Sequence, residues 1–147
     1  MAFTDSSTDE AVSGFSDTLE QLLGLMGSIS ELEEAKAEAA STKQHQKIDG
    51  LLKEEQALIL KLRGLEQLRM KQAGALGWQG LTFRQILERA DGRQKKLLSP
   101  LFDKMNAQLR RLTDSKDSAD RILWLRLKEL EEALAGAPQP RLHDSYG

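Results

Sequence analysis

The chain has 147 residues, a formal net charge of −2, two His and no Cys. That length fits one domain with tails. A chain without Cys excludes disulfide scaffolds, thiol catalysis and thiolate metal sites. Two His are too few for a His-based metal site without carboxylate help, so neither a metal nor another cofactor is expected. There are 26 Leu against five Ile and one Val, and aromatics make up 5%. So few β-branched and aromatic residues argue for an all-α fold rather than a sheet. No apolar run approaches the ~20 residues that span a bilayer, so no stable membrane insertion is expected. Met1 to Ala11 hold Asp5, Asp9 and Glu10 and nothing that reads as a signal peptide, which points to the cytoplasm.

Charge is distributed unevenly. Residues 1–50 carry ten acids and three bases, residues 51–98 ten bases and five acids, and residues 99–147 eight of each. An acidic segment followed by a basic one can pair antiparallel. The bases alternate with acids and Leu instead of forming a block, so nucleic acid is not expected as a partner.

Taken in chain order, residues 1–10 are rich in Ser, Thr and Asp and read as a disordered N-terminus. A helix is expected from about Asp9 to about Ala40. Phe15, Leu19, Leu22, Met26 and Ile29 alternate spacings of four and three and share one stripe. Gly24 and Gly27 lie inside this helix. Ser41 and Thr42 are candidate N-caps for a second helix of about 32 residues. Its apolar positions are Ile48, Leu51, Leu52, Leu58, Ile59, Leu62, Leu65 and Leu76, and its exposed face is read as Lys53, Glu54, Lys61, Arg63, Arg69 and Lys71. Gly74, Gly77 and Gly80 end it as a C-cap and turn, with Trp78 packed over the turn. Thr82 with Gln85 forms a capping box for a short helix from Leu81 to about Ala90, with Phe83, Ile86 and Leu87 inward. Asp91-Gly92 breaks that helix.

Ser99-Pro100 reads as N-cap and first position of the last long helix. That helix carries Leu101, Phe102, Met105, Leu109 and Leu112, then a polar interval, then Ile122, Leu123, Leu127, Leu130 and Leu134. Gly136, Pro138 and Pro140 stop it. Residues 137–147 read as a flexible tail ending in Tyr146-Gly147. The expected architecture is an elongated antiparallel hairpin or bundle of long helices over residues 11–136, with one short connecting helix. Such a shape has a thin core and much surface, which suits binding better than a cleft.

Few residues could carry chemistry, and no enzyme is expected. His45 stands in a polar run and reads as a surface side chain; phosphotransfer modules have a Lys three residues after the His, where this chain has Ile48. Asp114, Asp117 and Asp120 recur every three residues, but without the alternate ligands, glycine and distal Glu of a calcium loop they read as a solvated face. The segment 119–134 is different. Leu123, Leu127, Leu130 and Leu134 form a seam, while Trp124 points about 100° and Leu125 about 200° away from Leu123. Either the seam is buried and Trp124 or Leu125 is left for a partner, or the helix lies between two others and buries both faces.

The order of these features resembles the FlgN family of flagellar export chaperones. The resemblance spans roughly residues 15–135. It rests on the acidic first helix, the run from Ile48 to Arg69 with its KEEQALI and LEQLR segments, the turn at Leu76-Gly77, the Leu81-Thr-Phe-Arg-Gln-Ile-Leu87 segment, and the Leu-rich last helix. It implies a cytosolic chaperone that uses no ATP. Such a chaperone binds the terminal helical segments of hook-filament junction (hook-associated) proteins and delivers them to the type III export gate. By the same resemblance, Ile122, Leu123, Trp124, Leu127, Leu130 and Leu134 form the substrate-protein face, and Tyr146 is the contact with the export gate. The chain differs in having Asp117 and Asp120 where the family often has Asn, and in ending at Tyr146-Gly147. Two other readings are a structural coiled coil that self-associates, including as a homodimer, through the same stripes, and a helical phosphotransfer module centred on His45.

Overall fold

The computed structural model describes residues 2–114, 128–130 and 132–133. Four helices follow one another: α1 (Ala2–Ser41), α2 (His45–Ala75), α3 (Phe83–Arg89) and α4 (Gly92–Asp114). No strand occurs among the described residues. α1 begins at Ala2, inside the stretch read as a disordered N-terminus. At 40 residues it is about 60 Å long. It is the spine of the molecule, because α2 and α4 both pack along it. Lys36 meets Glu55 and Gln72 lies against Gly14, so α1 and α2 are antiparallel. Asp9 meets Arg93, Gly27 lies beside Gln108, and Glu34 approaches Arg111, so α4 runs parallel to α1.

The stripe expected on α1 is the core. Phe15, Leu19, Leu22, Met26 and Ile29 are buried, joined by Val12 and Leu25. From α4 come Leu98, Leu101, Phe102, Met105, Leu109 and Leu112, and from α3 Phe83 and Ile86. The Phe83 and Phe102 rings stack with centroids 4.1 Å apart. α2 gives much less: Leu62 and Ala73 are its only fully buried apolar residues. Leu58, Ile59 and Leu65 are half-buried against the cluster.

Both long-helix turns close with the same hydrogen-bond pattern. At the α2 end, Trp78 N donates to Ala73 O (2.8 Å) and Gly77 N to Gly74 O (3.1 Å), with Gly77 at φ 78°. This is a Schellman motif, and only glycine takes its left-handed position without strain. Trp78 is buried over the turn and meets Phe15 edge-on at 5.7 Å. At the α1 end, Gln44 N donates to Ala39 O (2.9 Å) and Lys43 N to Ala40 O (3.2 Å), but the left-handed residue is Lys43 at φ 57°.

Three local expectations need correction. Ser41 and Thr42 do not cap α2. Their hydroxyls donate back to Glu38 O at 2.9 Å each, so they finish α1, and the residue before α2 is Gln44, with no side-chain cap. α4 starts at Gly92 rather than at Ser99-Pro100. Asp91 Oδ1 accepts from Gln94 N (2.8 Å) and Gln94 Oε1 accepts from Asp91 N (3.0 Å), a reciprocal box that sets the start and leaves Pro100 inside the helix. Arg69, read as exposed, is buried. It binds Glu66 through two hydrogen bonds (2.7 and 3.1 Å) and lies 5.5 Å over the Phe83 ring. The Thr82–Gln85 box forms as expected, at 3.2 and 3.0 Å.

Candidate protein-binding surfaces

Of the residues expected to meet a partner, Leu130 is described. It is fully buried and belongs to the same core cluster as the α1 stripe. Glu132 and Ala133 are half-buried beside Arg69, Met70, Ala73 and Trp78, around an open cavity of about 570 Å³. This part of the last helix is therefore packed next to the α2–α3 turn. The seam that sequence periodicity singles out serves the fold at Leu130. Ile122, Leu123, Trp124, Leu127, Leu134 and Tyr146 lie outside the described residues, as do Asp117 and Asp120.

The described residues with the largest exposed apolar surface lie elsewhere. Leu52, Leu60, Leu68 and Met70 are all exposed on α2, and Leu97 on α4. Sequence periodicity places Leu52 with the buried positions and does not single out the other four. Leu60 is two residues from the buried Leu62, which turns it about 160° away on a helix. That angle was available in the sequence and would have flagged it. Among the described residues, α2 faces α1 with one side and has no second helix along its length comparable to α4 on α1.

Charge divides the surfaces as well. The exposed charged residues of α1 are Glu10, Asp17, Glu20, Glu31, Glu34 and Glu38, all acids. Those of α2 are Lys47, Lys53, Lys61, Arg63 and Lys71 against Asp49 and Glu54. Between the two helices lies a trio of two buried carboxylates and a half-buried lysine. Lys36 Nζ is 2.7 Å from Glu55 Oε2 and 3.4 Å from Glu33 Oε2, and neither Glu33 oxygen has a well-formed hydrogen bond. Burial, then the Glu55 carboxyl beside it, pushes Glu33 up to about 7 against the pull of Lys36. Burial also works against the charge of Lys36, but its hydrogen bond to Glu55 and the two carboxylates outweigh that and raise it. The trio joins α1 to α2.

His45 is exposed at the first position of α2. Among the described residues, no group of three His, Asp or Glu is placed to hold a metal ion. No described helix is long and apolar enough to cross a membrane. What the arrangement offers is helix surface: one stripe spent on the core, and further apolar and charged faces turned outward.

The model of the FlgN family, described as FlgN protein, matches residues 11–145. The chain therefore belongs to the FlgN family, which makes it a chaperone of flagellar export in general terms. No curated protein and no solved structure matches it.

Proposed function

We propose that this member of the FlgN family is a cytoplasmic chaperone that binds the terminal helical segments of hook-filament junction proteins and delivers them to the type III export gate. The family match carries the reading, because it extends to residue 145 and so takes in the last Leu-rich segment as well as the hairpin. The client face is Ile122, Leu123, Trp124, Leu127, Leu130 and Leu134. An amphipathic helix pairs with another by burying such a stripe. Each Leu so covered is worth about 1.5–3 kcal/mol. Leu130 is already buried within the chain. A client gains it only when that turn lifts from the core. The mechanism is stoichiometric: the chaperone covers the client's adhesive helix, holds it unassembled and releases it at the gate. Tyr146 is the gate contact.

The test is a titration of the full chain with C-terminal helical segments of hook-junction proteins, followed by heat and by Trp fluorescence. One-to-one saturable binding is expected, and Leu127→Asp should weaken it at least about 100-fold, the loss of roughly 3 kcal/mol, with helicity unchanged. Self-association with rising concentration and no client binding would sink the reading. Tyr146→Ala should leave client affinity intact and reduce export of the client in cells. A fall in client affinity instead would place Tyr146 in the client face.

A further inference from the structure

The outward side of α2 carries a second stripe that the function above does not use. At 3.6 residues per turn, Leu52, Met70, Arg63, Leu60, Lys53 and Lys71 fall within an arc of about 100° that begins at the edge of the α1 interface. Leu60 is 67% exposed, Met70 52% and Leu52 38%. These are three of the five large apolar residues exposed among the described residues, so the concentration is not the ordinary scatter of surface leucines. The three cations on the arc are exposed, and none makes an ion pair with a described residue. The single acid on the arc, Asp49, lies beyond Leu52 at its end. From Leu52 to Met70 the stripe is about 27 Å long, the length of a five-turn helix.

We propose that this stripe docks an amphipathic helix of a protein partner whose apolar residues cover Leu52, Leu60 and Met70 and whose flanking carboxylates meet Lys53, Arg63 and Lys71. The charge pattern selects this occupant. Arg63 lies inside the arc, between Leu52 and Met70 on one side and Leu60 on the other. A bilayer would have to take the guanidinium in with its neighbours, which is costly. A partner helix answers it with a carboxylate through charge-assisted hydrogen bonds. A second copy of this chain fits less well. The outward face of α1 supplies the acids, but from Thr8 to Ser41 no large apolar residue of α1 is exposed to cover Leu60. Met70, at one end of the stripe, lines the cavity that Glu132 and Ala133 of the last helix also line; the substitutions that test the stripe, at Leu60 and Arg63, are outside the client face proposed above.

The experiment uses the full-length chain and two synthetic 21-residue helical peptides with the same leucine stripe, one flanked by Glu and one by Lys. The Glu-flanked peptide should bind saturably at one to one. Leu60→Gln and Arg63→Glu should each weaken it about tenfold or more, and Arg63→Glu should gain affinity for the Lys-flanked peptide. Both positions are on the outside, so circular dichroism should show unchanged helicity. No saturable binding, equal affinity for the two peptides, or wild-type affinity in Arg63→Glu would overturn the proposal. So would binding to vesicles of three parts phosphatidylcholine to one part phosphatidylserine without peptide binding. Self-association in sedimentation that Leu60→Gln abolishes would overturn it too, since the stripe would then be covered by another copy.

Discussion

The two ends of the hairpin are held together by different physics. At the end near the α2–α3 turn, α1, α2, α3 and α4 converge, and Phe15, Trp78, Phe83 and Phe102 fill the space between them. At the other end, beyond Glu34, the described contacts join only α1 and α2, and a half-buried Lys stands between two buried carboxylates. The turns differ likewise. The packed end closes on Gly77, which takes a left-handed conformation freely, and the thin end closes on Lys43, which does not. The contrast teaches that helix length here is not matched by core. A fully buried stripe runs through the middle of α1, and the remainder of the hairpin stands on Leu32, Ala39, half-buried side chains and charge.

The largest expected effect tests the packed end. Phe15→Ala empties the space beneath Trp78 and should cost about 3–5 kcal/mol in urea unfolding. Its counterpart Leu51→Ala, half-buried in the thin end, should cost only about 1 kcal/mol. Equal costs would erase the distinction between the two ends. The next effect concerns Glu33. Its folded pKa of about 7 lies above the unfolded 4.5. The stability linked to it is therefore complete below pH 4.5 and is lost as pH rises through 7. Thermal melts of Glu33→Gln should lack this loss, so that from pH 5 to pH 8 the wild type falls by about 2 kcal/mol relative to the variant. Parallel curves would mean that the Glu33 carboxyl has the same pKa folded as unfolded. The smallest effect is a gain. Lys43→Gly removes a left-handed lysine from a turn whose hydrogen bonds already suit glycine, and should add about 1 kcal/mol.

Much of this was legible in the sequence because it is local or periodic. The α1 stripe, the glycine turn and the Thr82–Gln85 box each announce themselves within a few residues. The start of α4 was equally local, since Asp91 and Gln94 have the same spacing as Thr82 and Gln85. Ser99-Pro100 outweighs it in the sequence because proline is a stronger punctuation mark than an Asp-x-x-Gln pair. Arg69 was not legible. Its burial depends on Phe83, fourteen positions further along, which only tertiary packing brings over the guanidinium. The proposed partner face is legible in part: periodicity puts Leu130 on the seam, but it does not distinguish a residue kept for a partner from one spent on the fold.

The parallel pairing of α1 with α4 also has a consequence in time. Arg93 meets Asp9 across 84 residues of sequence. At about 5–20 residues per second of synthesis, roughly 4–17 s pass between the appearance of one and of the other. α2 reaches α1 first, but it brings few fully buried apolar residues. Until α4 has left the ribosome, the side of α1 that α4 will cover stays wet, and the newborn chain has for those seconds an adhesive helix of its own.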